Sequence, residues 1–182
     1  MFTYKIDDDT ELRLLEEQYA QELFDLTDSN RDQLRKWLPW VDATKAVDDS
    51  REFILKSLEQ YEKNGAVNAG IWHHGRLAGV ISFVMLDVYN RNTWLGYWLC
   101  EQYQGKGLVT AACRVMLATA FEDMGLNRVE IRAATENSRS RAIPERLGFR
   151  LEGILRESTW LHDHFHDMAV YSMLRSEWLN AE

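Results

Sequence analysis

The chain has little proline, little cysteine and no long apolar run. Its 182 residues include two prolines and ten glycines, too few for a low-complexity linker. Two cysteines, Cys100 and Cys113, do not make a disulfide framework, and their apolar surroundings predict buried thiols. No stretch approaches the roughly 20 apolar residues needed to cross a bilayer. The N-terminus lacks the basic start and apolar core of a signal peptide, so we expect a cytoplasmic protein with no membrane partner.

Basic residues are outnumbered by acidic ones, 21 to 29, which gives a formal net charge of -8. This balance argues against nucleic acid as a direct partner, because phosphate backbones attract basic surfaces. It is compatible with a cationic substrate, such as an amine or a basic protein tail, and also with solubility alone. Without an internal repeat or a break in composition, we expect a single domain over residues 1–182.

The spacing of apolar residues predicts helices in the first third of the chain and a sheet afterwards. Gly65 is expected to end the third helix, with Ser50 as its cap at the other end. The predicted helices are 17–27, 31–37, 50–64, 109–124 and 141–147, and the predicted strands are 2–6, 11–15, 67–73, 77–86, 94–100, 128–133, 149–160 and 167–174.

The order of these elements indicates the fold class. The strand–helix–strand unit from 94–100 to 128–133 requires parallel pairing of its two strands. Hairpins on both sides require antiparallel pairing. We therefore predict an α+β fold with a mixed, mostly antiparallel sheet, one parallel crossover and flanking helices.

A glycine loop leads directly into a strongly amphipathic predicted helix. Residues 102–107 read Gln-Tyr-Gln-Gly-Lys-Gly. Two glycines, Gly105 and Gly107, let the backbone approach a ligand without a clash with Cβ atoms. The helix start adds N–H groups without helical partners and the positive end of a dipole. Together these features predict a site for phosphate oxygens.

Two well-known phosphate loops do not match these residues. A Walker loop requires Ser or Thr where Gly107 stands and a glycine where Glu101 stands. A dinucleotide fingerprint requires a glycine in place of Thr110. A tight strand-to-helix turn without a ligand remains an alternative at this point.

The pattern that does match is Gln-x-x-Gly-x-Gly, and it resembles the pyrophosphate loop of the GCN5-related N-acetyltransferase (GNAT) superfamily. That superfamily commonly carries an Asn after the next strand, then a short helix, then Gly-Phe. The combination spans about residues 94–149. The matching residues are Gln102, Gly105, Gly107, Asn137, Ser140, Gly148 and Phe149.

Other segments narrow the resemblance to the RimJ/RimL branch, the ribosomal-protein N-terminal acetyltransferases. They are residues 29–31 (Ser-Asn-Arg), 34–40 (Leu-Arg-Lys-Trp-Leu-Pro-Trp), 137–149 and 151–156 (Leu-Glu-Gly-Ile-Leu-Arg). The resemblance therefore covers nearly the whole chain.

This resemblance implies an enzyme that moves an acetyl group from acetyl-coenzyme A to an amine, without a metal. The implied acceptor is the α-amino group of a ribosomal protein, and the implied assembly is a homodimer or higher homo-oligomer. Residues of about 1–66 would form the acceptor side, and residues of about 67–182 the sheet and coenzyme-binding core. A small amine acceptor, such as a polyamine or an aminoglycoside, and a non-catalytic coenzyme-binding module remain open.

The resemblance also implies which groups hold the coenzyme. Backbone amides of the glycine loop would hold the diphosphate, with Lys106 either adding charge or simply solvated. Asn137 suits the amides of the pantetheine arm, or is a plain cap at the end of the strand. A backbone N–H near 98–100 would stabilise the oxyanion. The expected coenzyme contacts are Trp98, Leu99, Cys100, Gln102, Gln104, Gly105, Lys106, Gly107, Leu108, Val109, Asn137 and Ser140.

The general acid departs from the superfamily pattern. Many members carry a Tyr seven residues after the Asn, where this chain has Pro144. The ribosomal-protein branch often has Ser at the position of Ser140, which is therefore the candidate proton donor to the thiolate. The alternative is that Ser140 only caps the helix that contains Pro144.

Two glutamates are candidates for the general base. Glu101 ends the strand before the loop, and Glu157 should share a strand face with Thr159, two residues further on. The branch uses a Glu at the position aligned with Thr159, so a direct carry-over fails. Either glutamate could act through water or be a plain surface carboxylate. An α-amino group needs no strong base, since its pKa is about 7.7–8.0.

Three further features have competing interpretations. Trp37 and Trp40 either line the acceptor channel or pack in the core or a dimer interface. Three alternating histidines at 162–166 could ligate a metal, but we expect them in an exposed turn without a nearby carboxylate cluster, so no metal is predicted. An acetyl-Cys100 intermediate is not supported, because nothing nearby indicates a lowered thiol pKa.

Overall fold

The structure, a computed structural model, describes residues 2–180. The described strands are β1 (Thr3–Lys5), β2 (Thr10–Leu14), β3 (Asn68–His73), β4 (Arg76–Asp87), β5 (Asn92–Leu99), β6 (Arg128–Ala134), β7 (Arg150–Leu161) and β8 (His164–Leu174). The described α-helices are α1 (Ala20–Ser29), α2 (Arg31–Leu34), α3 (Val47–Asn64), α4 (Leu108–Ala118), α5 (Ser138–Leu147) and α6 (Arg175–Asn180). None of the helices in this range is long and apolar enough to cross a membrane.

The eight strands form one sheet in the order β1-β2-β3-β4-β5-β6-β8-β7. Asn92–Leu95 of β5 pair in parallel with Arg128–Ile131 of β6. β8 pairs antiparallel with both β6 and β7. The α+β fold with a mostly antiparallel sheet and one parallel crossover is therefore confirmed.

The chain divides into two compact units. The first comprises the described residues up to Ser82 together with Tyr97–Ala112. Its core is built where α1 and α3 meet β3 and β4, and Tyr19 packs edge-on against Trp72 with ring centroids 5.0 Å apart. The buried members of this core are Leu15, Ala20, Leu23, Ile54, Trp72, Leu77 and Val80.

The second unit comprises Phe83–Gly96 together with the described residues from Cys113 on. The later part of α4 buries its apolar side there, as its 3.6-residue period predicts. A π-helical turn, Thr119–Asp123, ends this helix before Gly125, which has a φ of 63°. The buried core of this second unit includes Met116, Leu117, Phe121, Val129, Ile131 and Tyr171.

The start of α3 corrects one prediction. The carboxylate of Asp49 accepts the backbone N–H groups of Lys45 and Ala46 at 2.8 and 2.9 Å. These hydrogen bonds lower the pKa of Asp49 and place the helix start at Val47. Ser50 is therefore not the cap but a buried residue in the first turns of the helix.

Candidate active site

The glycine loop has a backbone conformation that favours glycine at two positions. Gly105 and Gly107 both have a φ of 78°, in the left-handed region that favours glycine. A Cβ built at either position would meet no protein atom within 4 Å, so both face open space. The carbonyl of Gly107 accepts the N–H of Ala111 at 3.0 Å, which places this residue at the start of α4. The loop thus presents main-chain atoms beside a helix N-terminus.

The end of β5 and the loop are fastened to their surroundings in the first unit. The side-chain amide of Gln104 donates to the carbonyl of Leu99 at 3.3 Å. The N–H of Cys100 donates to the carbonyl of Ala78 at 2.9 Å, and the N–H of Glu101 to Oδ1 of Asn30 at 3.2 Å. The loop therefore has a defined position relative to β4 and α1.

Side chains differ along this loop. Gln102 and Lys106 are exposed, and Nζ of Lys106 lies 5.5 Å from the ring centroid of Tyr103. Leu108 and Val109 are buried and anchor the start of α4. The loop is therefore held by its apolar end, while the side chains of Gln102 and Lys106 face solvent.

Two tryptophans that the sequence analysis placed at the site are in contact in the first unit. The rings of Trp40 and Trp98 have centroids 5.9 Å apart and planes inclined by 51°. Arg31 donates to two carbonyls of the segment that carries Trp40, at 2.6 and 2.8 Å. Trp37 is half-buried after α2.

In the second unit, Asn137 rather than Ser140 caps α5. Oδ1 of Asn137 accepts the N–H of Ser140 at 3.1 Å, and the helix begins at Ser138. The interpretation of Ser140 as a cap is therefore wrong. Its hydroxyl group lies in the first turn of the helix, and the residue is half-buried.

The remainder of α5 is fastened to β8 by a polar network. Nε of Arg141 donates to the hydroxyl of Tyr171 at 2.9 Å, and that hydroxyl donates to Glu145 at 2.6 Å. Burial and the hydrogen bond to Glu145 raise the pKa of Tyr171. Pro144 lies inside the helix and cannot donate to the carbonyl of Ser140. The network holds α5 in place despite this interruption.

Glu157 does not continue a regular strand. Its φ is 50°, and its N–H donates to Oδ1 of Asp167 at 2.7 Å. The pairing of β7 with β8 shifts register between Leu155 and Thr159. The regular alternation of side chains along β7 is therefore interrupted at Glu157, and the prediction that Glu157 and Thr159 share a strand face rested on that alternation. The carboxylates of Glu157 and Glu101 belong to exposed residues.

Comparison with known proteins agrees with the arrangement of strands and loop. The family model described as "Acetyltransferase (GNAT) domain" matches residues 9–150. The chain belongs to the GNAT acetyltransferase family.

Relatives of this GNAT protein match nearly its whole length. YdaF of Bacillus subtilis (strain 168), provisionally named a ribosomal N-acetyltransferase, is 41% identical over 179 residues and covers 98% of each chain. The ribosomal-protein-serine acetyltransferase of Escherichia coli (strain K12) is 27% identical over 172 residues, 94% of this chain and 96% of its own. The crystal structure of the microcin C7 self immunity acetyltransferase MccE, in complex with acetyl-CoA and AMP, matches with a TM-score of 0.88 and 32% identity, and the match covers 93% of this chain and 94% of that one.

The GNAT chain also contains a residue near the end of β5 that the sequence analysis missed. A Cβ on Gly79 would lie 2.2 Å from the carbonyl oxygen of Trp98 and 2.9 Å from Cα of Leu99. Only glycine allows β4 to approach β5 this closely. A glycine inside a strand of otherwise apolar residues is the sequence signal that indicates such an approach.

The cysteines of this GNAT protein are both buried. Burial raises the pKa of Cys100 to about 12, and its sulfur lies 3.9 Å from the carbonyl of Leu26. A thiol with this pKa is not ionised near neutral pH, and the thiolate is the nucleophilic form. The side chain therefore does not have the properties of a catalytic nucleophile.

The three histidines do not all lie in a turn. His162 is in the turn between β7 and β8, but His164 and His166 belong to β8 itself. Glu136, from the connection between β6 and α5, lies beside His164 and His166. The expectation of an exposed turn without a nearby carboxylate is wrong for these two residues.

Proposed function

We propose that this GNAT protein transfers the acetyl group of acetyl-coenzyme A to the α-amino group of a ribosomal protein. The observation that carries the proposal is the loop from Gln102 to Val109. Two left-handed glycines there open the backbone in front of α4, and helix N-termini bind phosphate oxygens. The acetyl-CoA bound to MccE supports the donor.

The diphosphate of the coenzyme is held chiefly by main-chain N–H groups of residues 104–109. Lys106 is exposed and adds positive charge near the phosphates. The side-chain amide of Asn137 hydrogen-bonds the pantetheine arm through its NH₂ group, since its oxygen already accepts from Ser140.

Transfer then requires positioning, an oxyanion donor and two proton movements. The amine nitrogen forms a bond to the thioester carbon, the C–S bond breaks, and the electron pair of that bond passes to sulfur. The N–H of Cys100 donates to the carbonyl of Ala78 in β4, and N–H groups two residues apart on a strand point to the same edge. The N–H of Leu99, which points to the other edge, is therefore the oxyanion donor in this proposal. The hydroxyl of Ser140 donates to the thiolate sulfur, whose free-thiol pKa is near 8.5.

The proton of the attacking amine leaves to solvent or, through water, to an exposed glutamate, Glu101 or Glu157. A strong base is unnecessary because a substantial fraction of α-amino groups, with pKa values of about 7.7–8.0, is neutral at physiological pH. The tryptophans near Pro39 form the acceptor side, with Trp40 beside Trp98 and Trp37 preceding it. The acceptor class is supported by the names of YdaF and the Escherichia coli serine acetyltransferase.

Thiol release measured with dithionitrobenzoate tests this function. Acetyl-coenzyme A is mixed with the enzyme and with peptides that copy ribosomal-protein N-termini, and matched peptides with blocked α-amino groups serve as controls. We expect thiol release only with free α-amino groups and a mass increase on the N-terminal residue. Tight coenzyme binding without acceptor-dependent release would contradict the proposal and favour a binding module.

A small acceptor is the second candidate, because MccE is 32% identical to this chain and its structure is a complex with AMP as well as acetyl-CoA. The same assay distinguishes the two when polyamines, aminoglycosides and aminoacyl-adenylate analogues are included. Release with a small amine at a higher kcat/KM than with any peptide would favour this candidate.

We also propose that the enzyme is a homodimer. β7 is at the edge of the sheet and exposes the apolar side chains of Leu151, Ile154, Leu155 and Trp160. Exposed apolar patches of this kind mark association surfaces. Light scattering after size exclusion should give twice the 21.3 kDa mass of the chain. A monomer mass at micromolar concentration would contradict the dimer.

A further inference from the structure

Three side chains of the second unit that are apart in the sequence come together beside β8. One nitrogen each of His164 and His166 and one carboxylate oxygen of Glu136 lie within 4.8 Å of one another. The two histidines are two residues apart on β8 and therefore share a face, with ring centroids 4.2 Å apart. Oε2 of Glu136 lies 3.3 Å from Nδ1 of His166.

We propose that Glu136, His164 and His166 bind a divalent transition metal ion of the Zn²⁺ class. Two imidazoles and one carboxylate are a ligand set that Zn²⁺ takes, with water at the fourth position. In a tetrahedral site with bonds of about 2.0–2.2 Å, neighbouring ligand atoms are about 3.3–3.6 Å apart. The ligand atoms already lie within 4.8 Å of one another, and the side chains of two of the three residues are exposed.

The surroundings hold two of the ligands in place. Nδ1 of His164 lies 2.7 Å from Oδ1 of Asp163. A carboxylate can only accept, so Nδ1 carries the proton and Nε2 keeps the lone pair that a metal requires. His166 is only 8% exposed and pairs with Thr159 across the sheet. The donor set is therefore partly preorganised.

The metal would join two segments that are separate in the chain. Glu136 lies in the short connection between β6 and α5, and the N–H of Thr135 already donates to the carbonyl of Asp167 at 2.9 Å. An ion bound to Glu136 and to β8 would add a second link between this connection and the strand. Because the unfolded chain lacks the arrangement, binding would also stabilise the fold in proportion to ln(1 + [L]/Kd).

The test uses the full-length chain, freed of metal by a chelator, and Zn²⁺ as the probe. Calorimetric titration with ZnCl₂ should show one ion bound per chain, and thermal unfolding should move to higher temperature with added Zn²⁺. MgCl₂ should do neither, because Mg²⁺ prefers oxygen ligands in octahedral geometry. His164→Ala and Glu136→Gln should each weaken Zn²⁺ binding by more than about tenfold, and Asp163→Asn by about tenfold.

His162→Asn is the matched control. His162 is the nearest histidine outside the cluster, and its φ of 60° is a conformation that Asn adopts readily. This variant should bind Zn²⁺ like the parent chain. The site is refuted if the parent chain binds no Zn²⁺, in which case the grouping of Glu136 with the two histidines is a side-chain contact only. It is also refuted if His164→Ala and Glu136→Gln bind as tightly as the parent.

Discussion

The loop at 102–109 and the turn at 137–140 each connect a strand to a helix. They differ in whether a side chain caps the N–H groups at the start of that helix. In the first, Gly107 precedes α4 and has no side chain with which to cap it. In the second, Asn137 caps α5 with its own oxygen, 3.1 Å from the N–H of Ser140. An anion can therefore reach the backbone of the first helix start, whereas the second already uses an N–H internally.

This difference separates two kinds of function. A backbone-built site depends on which residues lack a Cβ, and its chemistry is that of the peptide bond. A side-chain site depends on which hydroxyl, amide or carboxylate the fold brings into place. We therefore expect the loop to tolerate changes of its polar side chains but not of its glycines. The turn has no glycine, and we expect its function to depend on the side chains of Asn137 and Ser140.

The largest expected effect is that of Gly107→Val on coenzyme binding. A β-branched side chain is strained at a φ of 78° and would fill the open space in front of α4. We expect the Kd for acetyl-coenzyme A, measured by calorimetry, to rise about a hundredfold or more, which is about 2.7 kcal/mol.

Gly125→Val controls for strain alone. Gly125 has a φ of 63° and also faces open space, but it lies outside the loop. This variant should lose stability and keep its coenzyme affinity. Equal affinity loss in both variants, or none in Gly107→Val, would overturn the assignment of the loop.

The next largest effect is expected for Gly79→Ala, which tests whether the backbone-built region extends into β4. The added Cβ would collide with main-chain atoms of Trp98 and Leu99, so the strands must separate. We expect a loss of about 1–3 kcal/mol in the free energy of unfolding in urea, together with lower kcat/KM.

Gly153→Ala is the control for the loss of a strand glycine. A Cβ on Gly153 in β7 would meet no atom within 4 Å. Its stability should stay within about 0.5 kcal/mol of the parent. If Gly79→Ala is equally harmless, the close approach does not constrain this region.

Ser140→Ala tests the side-chain half of the comparison. We expect kcat to fall roughly tenfold to a hundredfold, with little change in the Kd of the coenzyme, because the hydroxyl acts on the leaving thiolate. Stopped-flow thiol release measures the first quantity and calorimetry the second. Ser138→Ala, an exposed serine of the same helical turn, should leave both unchanged. An unaltered kcat in Ser140→Ala would remove Ser140 as the proton donor.

Asn137→Asp separates the two roles of Asn137. Aspartate caps helices as well as asparagine does, so the unfolding temperature should be retained. It lacks the NH₂ donor, so the KM for acetyl-coenzyme A should rise about tenfold. Asn137→Ala should lower both stability and affinity. The pantetheine role is contradicted if Asn137→Asp binds the coenzyme normally.

The smallest effect is expected for Glu152→Gln, which leaves both helix starts intact. Hydrogen bonds from Arg128 and Ser172 lower the pKa of Glu152 from 4.5 to about 2. A lowered pKa stabilises the fold above pH 4.5, and this contribution is lost as pH falls towards 2. Because 41% of the side chain is exposed, solvent screening keeps the effect to about 1 kcal/mol or less.

Thermal unfolding across pH checks this expectation. The difference between Glu152→Gln and the parent should be largest near neutral pH and shrink between pH 4.5 and 2. Glu59→Gln, an exposed carboxylate on α3, serves as the control. A difference that grows on acidification would contradict the sign of the pKa shift.

Local patterns in the sequence determined the features that depend on neighbouring residues. The glycine loop before α4, the Gly65 end of α3 and the period of α4 could all be predicted, because turns and helices are set by residues close in the chain. The parallel crossover followed from chain order alone, since a strand–helix–strand unit has one favourable hand and direction.

Tertiary structure decided what depends on residues far apart in the chain. The irregular backbone at Glu157, the approach of Gly79 to Trp98 and the grouping of Glu136 with two histidines of β8 each require a partner that the local sequence does not specify. Hydrogen bonds and close contacts are short-ranged, so such partners are known only once the strands have been placed side by side.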